Sequence, residues 1–172
     1  MHWSDTFLDL FDRCVAAYRG GNRDFTTYYT AHDLAFLESI GCRQREFFDF
    51  VEDFCEEGIP SPGTALLVAS VRRDWMLAHP GEPRPDVLLT RDTIPTFGDT
   101  LDGIAYLPRI LAKARAKLRG ALDPDLMFGC GGDRKFLREH GGIHPADFLR
   151  EVWIAGDDDR QVADWVRARY TR

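Results

Sequence analysis

The sequence predicts an all-α protein built as two tandem pseudo-repeats of about four helices each, together forming one compact helical domain. Three observations carry this. Apolar residues recur at helical spacing between glycine and proline stops. Residues 7–41 reappear in step at 107–141, with Ala16/Ala116, Arg19/Arg119, Gly20/Gly120, Asp33/Asp133, Phe36/Phe136, Leu37/Leu137 and Gly41/Gly141 identical. Average residue usage would give roughly two such identities by chance over this span. Between the copies, Pro80, Pro83, Pro85 and Pro95 with Gly81 and Gly98 interrupt the helical pattern. The expected organisation is a first helical repeat over 1–78, a Pro/Gly-rich linker over 79–106 and a second repeat over 107–172.

The elements follow in order. Ser4 is placed to cap a first helix over 5–19, with Phe7, Phe11, Cys14 and Tyr18 on one stripe and Gly20-Gly21 ending it. Thr30-x-x-Asp33 has the form of a capping box with a shorter acid, opening a helix that stops at Gly41. A third helix over about 43–57 carries Phe47, Phe50, Val51 and Phe54 and ends at Gly58. Thr64 is the expected cap of a fourth, to about Leu77. In the linker, Val87-Leu88-Leu89 is a candidate short strand. Pro108 then starts a helix over 108–119, Asp133 begins a short one to His140, and Pro145 opens another to about Ala155. Asp157 or Asp158 caps a last helix with Val162, Trp165 and Val166 inward. Pairing Val71 with Val166 also brings Arg72 onto Arg167 and Trp75 onto Tyr170, which extends the repeat to the fourth helix.

Composition sets outer bounds. The chain is 44% hydrophobic and 12% aromatic, ample for a core, and carries a formal charge of −6. That sign disfavours nucleic-acid binding, which needs a basic footprint to displace counterions. No run approaches the ~18 apolar residues of a membrane span, and no signal-peptide pattern opens the chain. Cys14, Cys42, Cys55 and Cys130 show neither a C-x-x-C pair nor zinc spacing. The expectation is a reduced, soluble, cytoplasmic protein with no cofactor and no metal. His140 and His144 have i, i+4 numbering, but Gly141, Gly142 and Pro145 break any shared helix.

Where the copies differ, function is the reading to test. Asp9 becomes Arg109, Thr30 becomes Cys130, and Ala31-His32 becomes Gly131-Gly132. Arg109, Lys113 and Lys117 form one row along a helix, able to hold a phosphate or carboxylate. The plainer alternative is a solvated basic face paired with acids such as Glu52, Asp53, Glu56 and Glu57. Gly129-Cys130-Gly131-Gly132-Asp133 before a helix lets backbone N–H groups converge on an anion. No apolar strand of the usual kind precedes it and no Lys-Ser/Thr follows, so neither a dinucleotide fingerprint nor a P-loop fits. Cys130 stands where a helix dipole favours a thiolate nucleophile, although Asp133 adds opposing charge. The plainer reading is a tight turn, an Asp133 cap and a small buried cysteine. Arg72, near the end of the fourth helix, is a further candidate for an anion pocket.

The run Leu107-Pro108-Arg109, Lys113-Ala114-Arg115-Ala116-Lys117-Leu118 and Gly120 resembles the opening of a bacterial family of small proteins known only as a domain of unknown function. Cys130, Asp133, Phe136-Leu137, Phe148 and the stretch Asp157-Asp158 to Trp165 continue the similarity, which covers roughly residues 100–168. Gly21-Asn22, Phe25-Thr26 and Val71-Arg72-Arg73-Asp74 match a longer subgroup. The resemblance implies a helical fold and a bacterial, intracellular origin, and groups Arg109, Lys113, Cys130 and Asp133 in one pattern. It implies no activity.

The leading expectation is therefore a small-anion site in the second half. Arg109 and Lys113 would hold the ligand, with Arg72 as a further binding residue. Gly131 and Gly132 would donate backbone N–H groups, Asp133 would orient or act as base, and Cys130 would be the nucleophile if chemistry occurs. The competing expectation is a non-catalytic interaction module or homodimer, with Trp3, Tyr28, Tyr29, Trp153 and Tyr170 marking a partner face.

Overall fold

Helix α1, Trp3–Arg19, buries Phe7, Leu10, Phe11, Cys14 and Tyr18, a stripe at three- and four-residue spacing. Its cap is His2 rather than Ser4: the His2 side chain accepts the Ser4 N–H, so the helix starts two residues earlier than the Ser-cap pattern suggests. This is a computed structural model, and it describes residues 2–82 and 85–170, without the Tyr170 side chain. Pro83, expected in the linker, and the Tyr170 side chain, expected on a partner face, lie outside what is described.

Among the described residues there are eight α-helices and one two-stranded hairpin, so the protein is all-α. The chain groups into two compact units, Met1–Leu77 and Ala78–Arg172. In the first unit, α2 (Ala31–Ser39) opens on a complete Thr30/Asp33 capping box. Helix α3 (Gln44–Glu57) ends where Gly58 adopts φ 76°, and α4 (Pro62–Ala78) follows. Ser61, not Thr64, caps α4: its hydroxyl accepts the Thr64 N–H at 3.2 Å, and Pro62 takes the first helical position, where no N–H is needed. The core is aromatic. Phe7, Phe11 and Phe47 are fully buried, with the Phe47 ring 5.0 and 5.8 Å from the other two, edge-on.

In the second unit, the stretch after α4 is not free of structure. Leu89 donates to Ala121 O at 2.8 Å and accepts from Asp123 at 3.0 Å, so the expected strand reduces to one parallel bridge with Leu122. A hairpin the sequence does not announce, β1 (Thr100–Leu101) with β2 (Ile104–Ala105), leads into α5 (Leu107–Arg119). Then come α6 (Gly131–Glu139), α7 (Pro145–Ala155) and α8 (Asp159–Tyr170). Helix α6 starts two residues before the expected Asp133, because Cys130 O accepts the Arg134 N–H and begins the helical ladder. Asp158 caps α8 by accepting the Gln161 N–H at 3.1 Å. Leu107, Ile110, Phe148, Leu149, Val162 and Val166 are fully buried, while Trp165 is half-buried beside Phe148.

Candidate functional site

The start of α6 meets the middle of α5 through a buried carboxylate. Asp133 is 0% exposed, and its two oxygens accept three hydrogen bonds. Lys113 Nζ lies 2.6 Å from Oδ2, the Gly129 N–H 2.8 Å from the same oxygen, and the Tyr106 hydroxyl 2.8 Å from Oδ1. Lys113 is itself only 3% exposed, and its Nζ also reaches Cys130 Sγ at 3.1 Å. Two opposite charges removed from water together are tolerable because each is paired and hydrogen-bonded.

Each side chain arrives for a local reason. Lys113 sits on the inward face of α5 between Ile110 and Ala114, and Asp133 takes the third position of α6. Tyr106 precedes α5 with φ 71°, a left-handed backbone that is uncommon for a bulky residue. Its amide bonds to Asp99 O at 3.0 Å, and its carbonyl accepts from Arg109 and Ile110. The phenol then passes over Gly132, where any Cβ would stand 2.8 Å from the hydroxyl. A side chain at position 132 would block the bond to Asp133. Burial, followed by the charge and hydrogen bond of Asp133, pushes the Tyr106 hydroxyl far above its ordinary range, so it remains a donor.

The basic row is not a solvated face. Lys113 and Lys117 are each 3% exposed, because α5 buries this side against its own unit. Arg109 takes a different partner: Nη1 donates to Pro95 O at 2.6 Å, and the guanidinium lies 4.3 Å from the Phe97 ring centroid. It remains close enough to Tyr106 for its charge to oppose the rise of that phenol. Gly131 and Gly132 are exposed at the first turn of α6, and Cys130, the residue before it, is half-buried without capping the helix. Asp133 is closed off from solvent, which suits a positioning residue and not a base meeting a ligand. Arg72 belongs to the first unit, 3% exposed, its guanidinium 3.0 Å from where a Gly41 Cβ would be.

Of the aromatics expected on a partner face, Tyr28 is buried at 8% exposure. Tyr29 lies 6.3 Å from Phe47 and donates to Gln44 O, so both serve the first unit's core. Trp3 and Trp153 are half-buried.

The first unit holds a cluster of similar make-up. Arg13 Nη2 is 2.5 Å from Asp33 Oδ1, and the Thr30 hydroxyl and amide donate to Oδ2 at 2.7 and 2.9 Å. Arg13, Thr30 and Asp33 are the residues that the repeat aligns with Lys113, Cys130 and Asp133. Two differences stand out: Arg13 is 53% exposed where Lys113 is buried, and Thr30 caps its helix where Cys130 does not. Sequence reasoning missed Tyr106, and it read Gly129 as part of a turn facing a bound anion, whereas the Gly129 N–H faces the carboxylate of Asp133. Tyr106 could have been found from the repeat frame, in which it replaces Thr6.

Fold and site together define an all-α protein whose second unit fixes a helix start with a buried Lys–Asp pair, bonded to the half-buried Tyr106, beside a thiol. Residues 95–172 match a family described as Domain of unknown function (DUF5069), so an uncharacterised domain accounts for most of that unit. No curated protein and no solved structure gives a significant match to the chain. Among the described residues, no helix is long and apolar enough to cross a membrane.

Proposed function

We propose that the chain is a duplicated four-helix unit whose second copy, of bacterial and cytoplasmic origin, binds a small anion at the start of α6. The observation that carries this is the cap. Helix α2 begins with the Asp33 N–H served by the Thr30 hydroxyl, whereas α6 begins with no side-chain cap and two exposed glycines. A helix start left open, with small residues that admit close approach, suits a phosphate or carboxylate. The Gly131 and Gly132 N–H groups are the donors in this reading. Lys113 supplies positive charge from behind and holds Cys130 Sγ at the rim, while Asp133 and Tyr106 position Lys113. Arg109 contributes charge only, and Arg72 has no part.

Cys130→Thr tests this by restoring the first unit's cap. The variant should gain about 0.5–2 kcal/mol of stability, the usual worth of such a cap. It should also lose the thermal shift that inorganic phosphate gives the wild type. A folded Cys130→Thr chain that responds to phosphate as the wild type does, or a wild type with no response, would sink the reading. Whether the thiol is also a nucleophile is read separately, by peptide mapping of iodoacetamide adducts. Preferential labelling of Cys130 over half-buried Cys55 is expected if it is.

A further inference from the structure

The first unit is open where the second is filled. In the second unit the Tyr106 ring lies between Phe97 and Phe136, at centroid distances of 5.8 and 5.6 Å. His140 stacks on Phe136 at 4.1 Å. In the repeat frame, Tyr106, Phe136 and His140 correspond to Thr6, Phe36 and Ile40. The exchange of a phenol for threonine removes a ring. At that place the first unit has a groove of about 450 Å³, with Thr6, Phe36 and Ile40 in its walls. Trp3, His32, Ser39 and Arg73 also line it, the Arg73 guanidinium 5.1 Å from the Trp3 ring centroid.

The walls specify the guest. The volume falls in the range of small-molecule sites, which combine apolar walls with a few placed polar groups. Trp3 and Phe36 offer aromatic faces and edges, which favour a flat ring over an aliphatic chain of equal area. Arg73 offers a planar fork matched to a carboxylate. Its ion-pair partner is the adjacent Asp74 at 3.4 Å, 52% exposed, a contact weak enough for a carboxylate ligand to displace. The second unit supplies an internal precedent, since an aromatic ring occupies the corresponding position there, bearing a polar group at its far end.

We propose that this groove binds a small aromatic carboxylate, its ring against Trp3 and Phe36 and its carboxylate on Arg73. The site is separate from the start of α6 and does not depend on that reading. An inorganic anion would use only the polar groups of the groove and leave the aromatic walls unsatisfied, so ring and charge are both required.

The test is calorimetric titration of the full chain with 2-naphthoate, with 2-naphthamide and inorganic phosphate as comparisons. Saturable binding of 2-naphthoate is expected, weakened about tenfold or more for the amide, which lacks the charge-assisted hydrogen bonds. Arg73→Met, which keeps the length of the side chain, should weaken 2-naphthoate by a similar factor. Thr6→Tyr, which restores the second unit's ring, should abolish binding while circular dichroism is unchanged. Cys130→Thr should leave it untouched. The proposal is overturned by a wild type that shows no saturable binding of 2-naphthoate, or by a folded Arg73→Met that binds it equally well. It is equally overturned by a folded Thr6→Tyr that still binds, or by 2-naphthoate affinity that disappears in Cys130→Thr.

Discussion

Lys113 and Arg13 occupy matching positions yet stand in opposite electrostatic regimes. Removing Lys113 would strand the fully buried Asp133 without its counter-charge, a loss that costs about 3–5 kcal/mol in comparable pairs. Lys113→Met should therefore lower the urea midpoint sharply, and the double change Lys113→Met with Asp133→Leu should recover much of the loss. Arg13→Met, at a 53% exposed position, should cost under about 1 kcal/mol. Asp33 adds a pH dependence. Burial pushes its carboxyl up, but the Thr30 amide, the Thr30 hydroxyl and Arg13 outweigh burial and hold it below the ordinary range. Since the folded value is the depressed one, this contribution is complete above about pH 4 and is lost as pH falls through the folded value. Unfolding midpoints measured between about pH 6 and pH 2 should fall more steeply in the wild type than in Asp33→Asn.

At the scale of elements, the two short helices end alike and differ in what their terminal glycines face. Gly41 and Gly141 both have positive φ, at 67° and 91°. A Cβ on Gly41 would meet the far end of the Arg72 side chain at 3.0 Å, whereas one on Gly141 would meet the Arg169 backbone oxygen at 2.7 Å. A guanidinium can shift; a helix backbone cannot without moving α8. Gly41→Ala should cost about 1–2 kcal/mol from backbone conformation, and Gly141→Ala should cost more. Thermal denaturation of the two variants side by side checks the order, and equal losses would mean that the end of α8 yields easily.

For the molecule as a whole, each unit closes an aromatic core of its own. Phe47 is fully buried with Phe7 and Phe11 in the first, and Phe148 is fully buried beside Phe128 and Trp165 in the second. Phe47→Ala and Phe148→Ala should each cost about 3–5 kcal/mol. Trp3 and Trp75 report on the first unit, Trp153 and Trp165 on the second, so single-tryptophan variants can follow each through urea. Each truncation should move its own reporters first. Reporters that always move together would instead mean a single cooperative transition.

The helices, their glycine stops and the Thr30 capping box were legible in the amino-acid sequence. They depend on periodicity and on side chains meeting backbone groups a few residues away, and such relations are written locally. The role of Tyr106 was not legible, because its partner Asp133 lies 27 residues on and Gly132 must be bare for the hydroxyl to reach it. Nor was the fate of the basic row. An i, i+4 spacing places lysines along one helix face, but only the packing of that helix decides whether the face meets water or a carboxylate. Tertiary structure alone therefore sent Arg109 to Pro95 and Phe97, buried Lys113 against Asp133, and left a groove open beside Thr6. Local spacing sets which groups share a surface, and long-range packing sets what that surface touches.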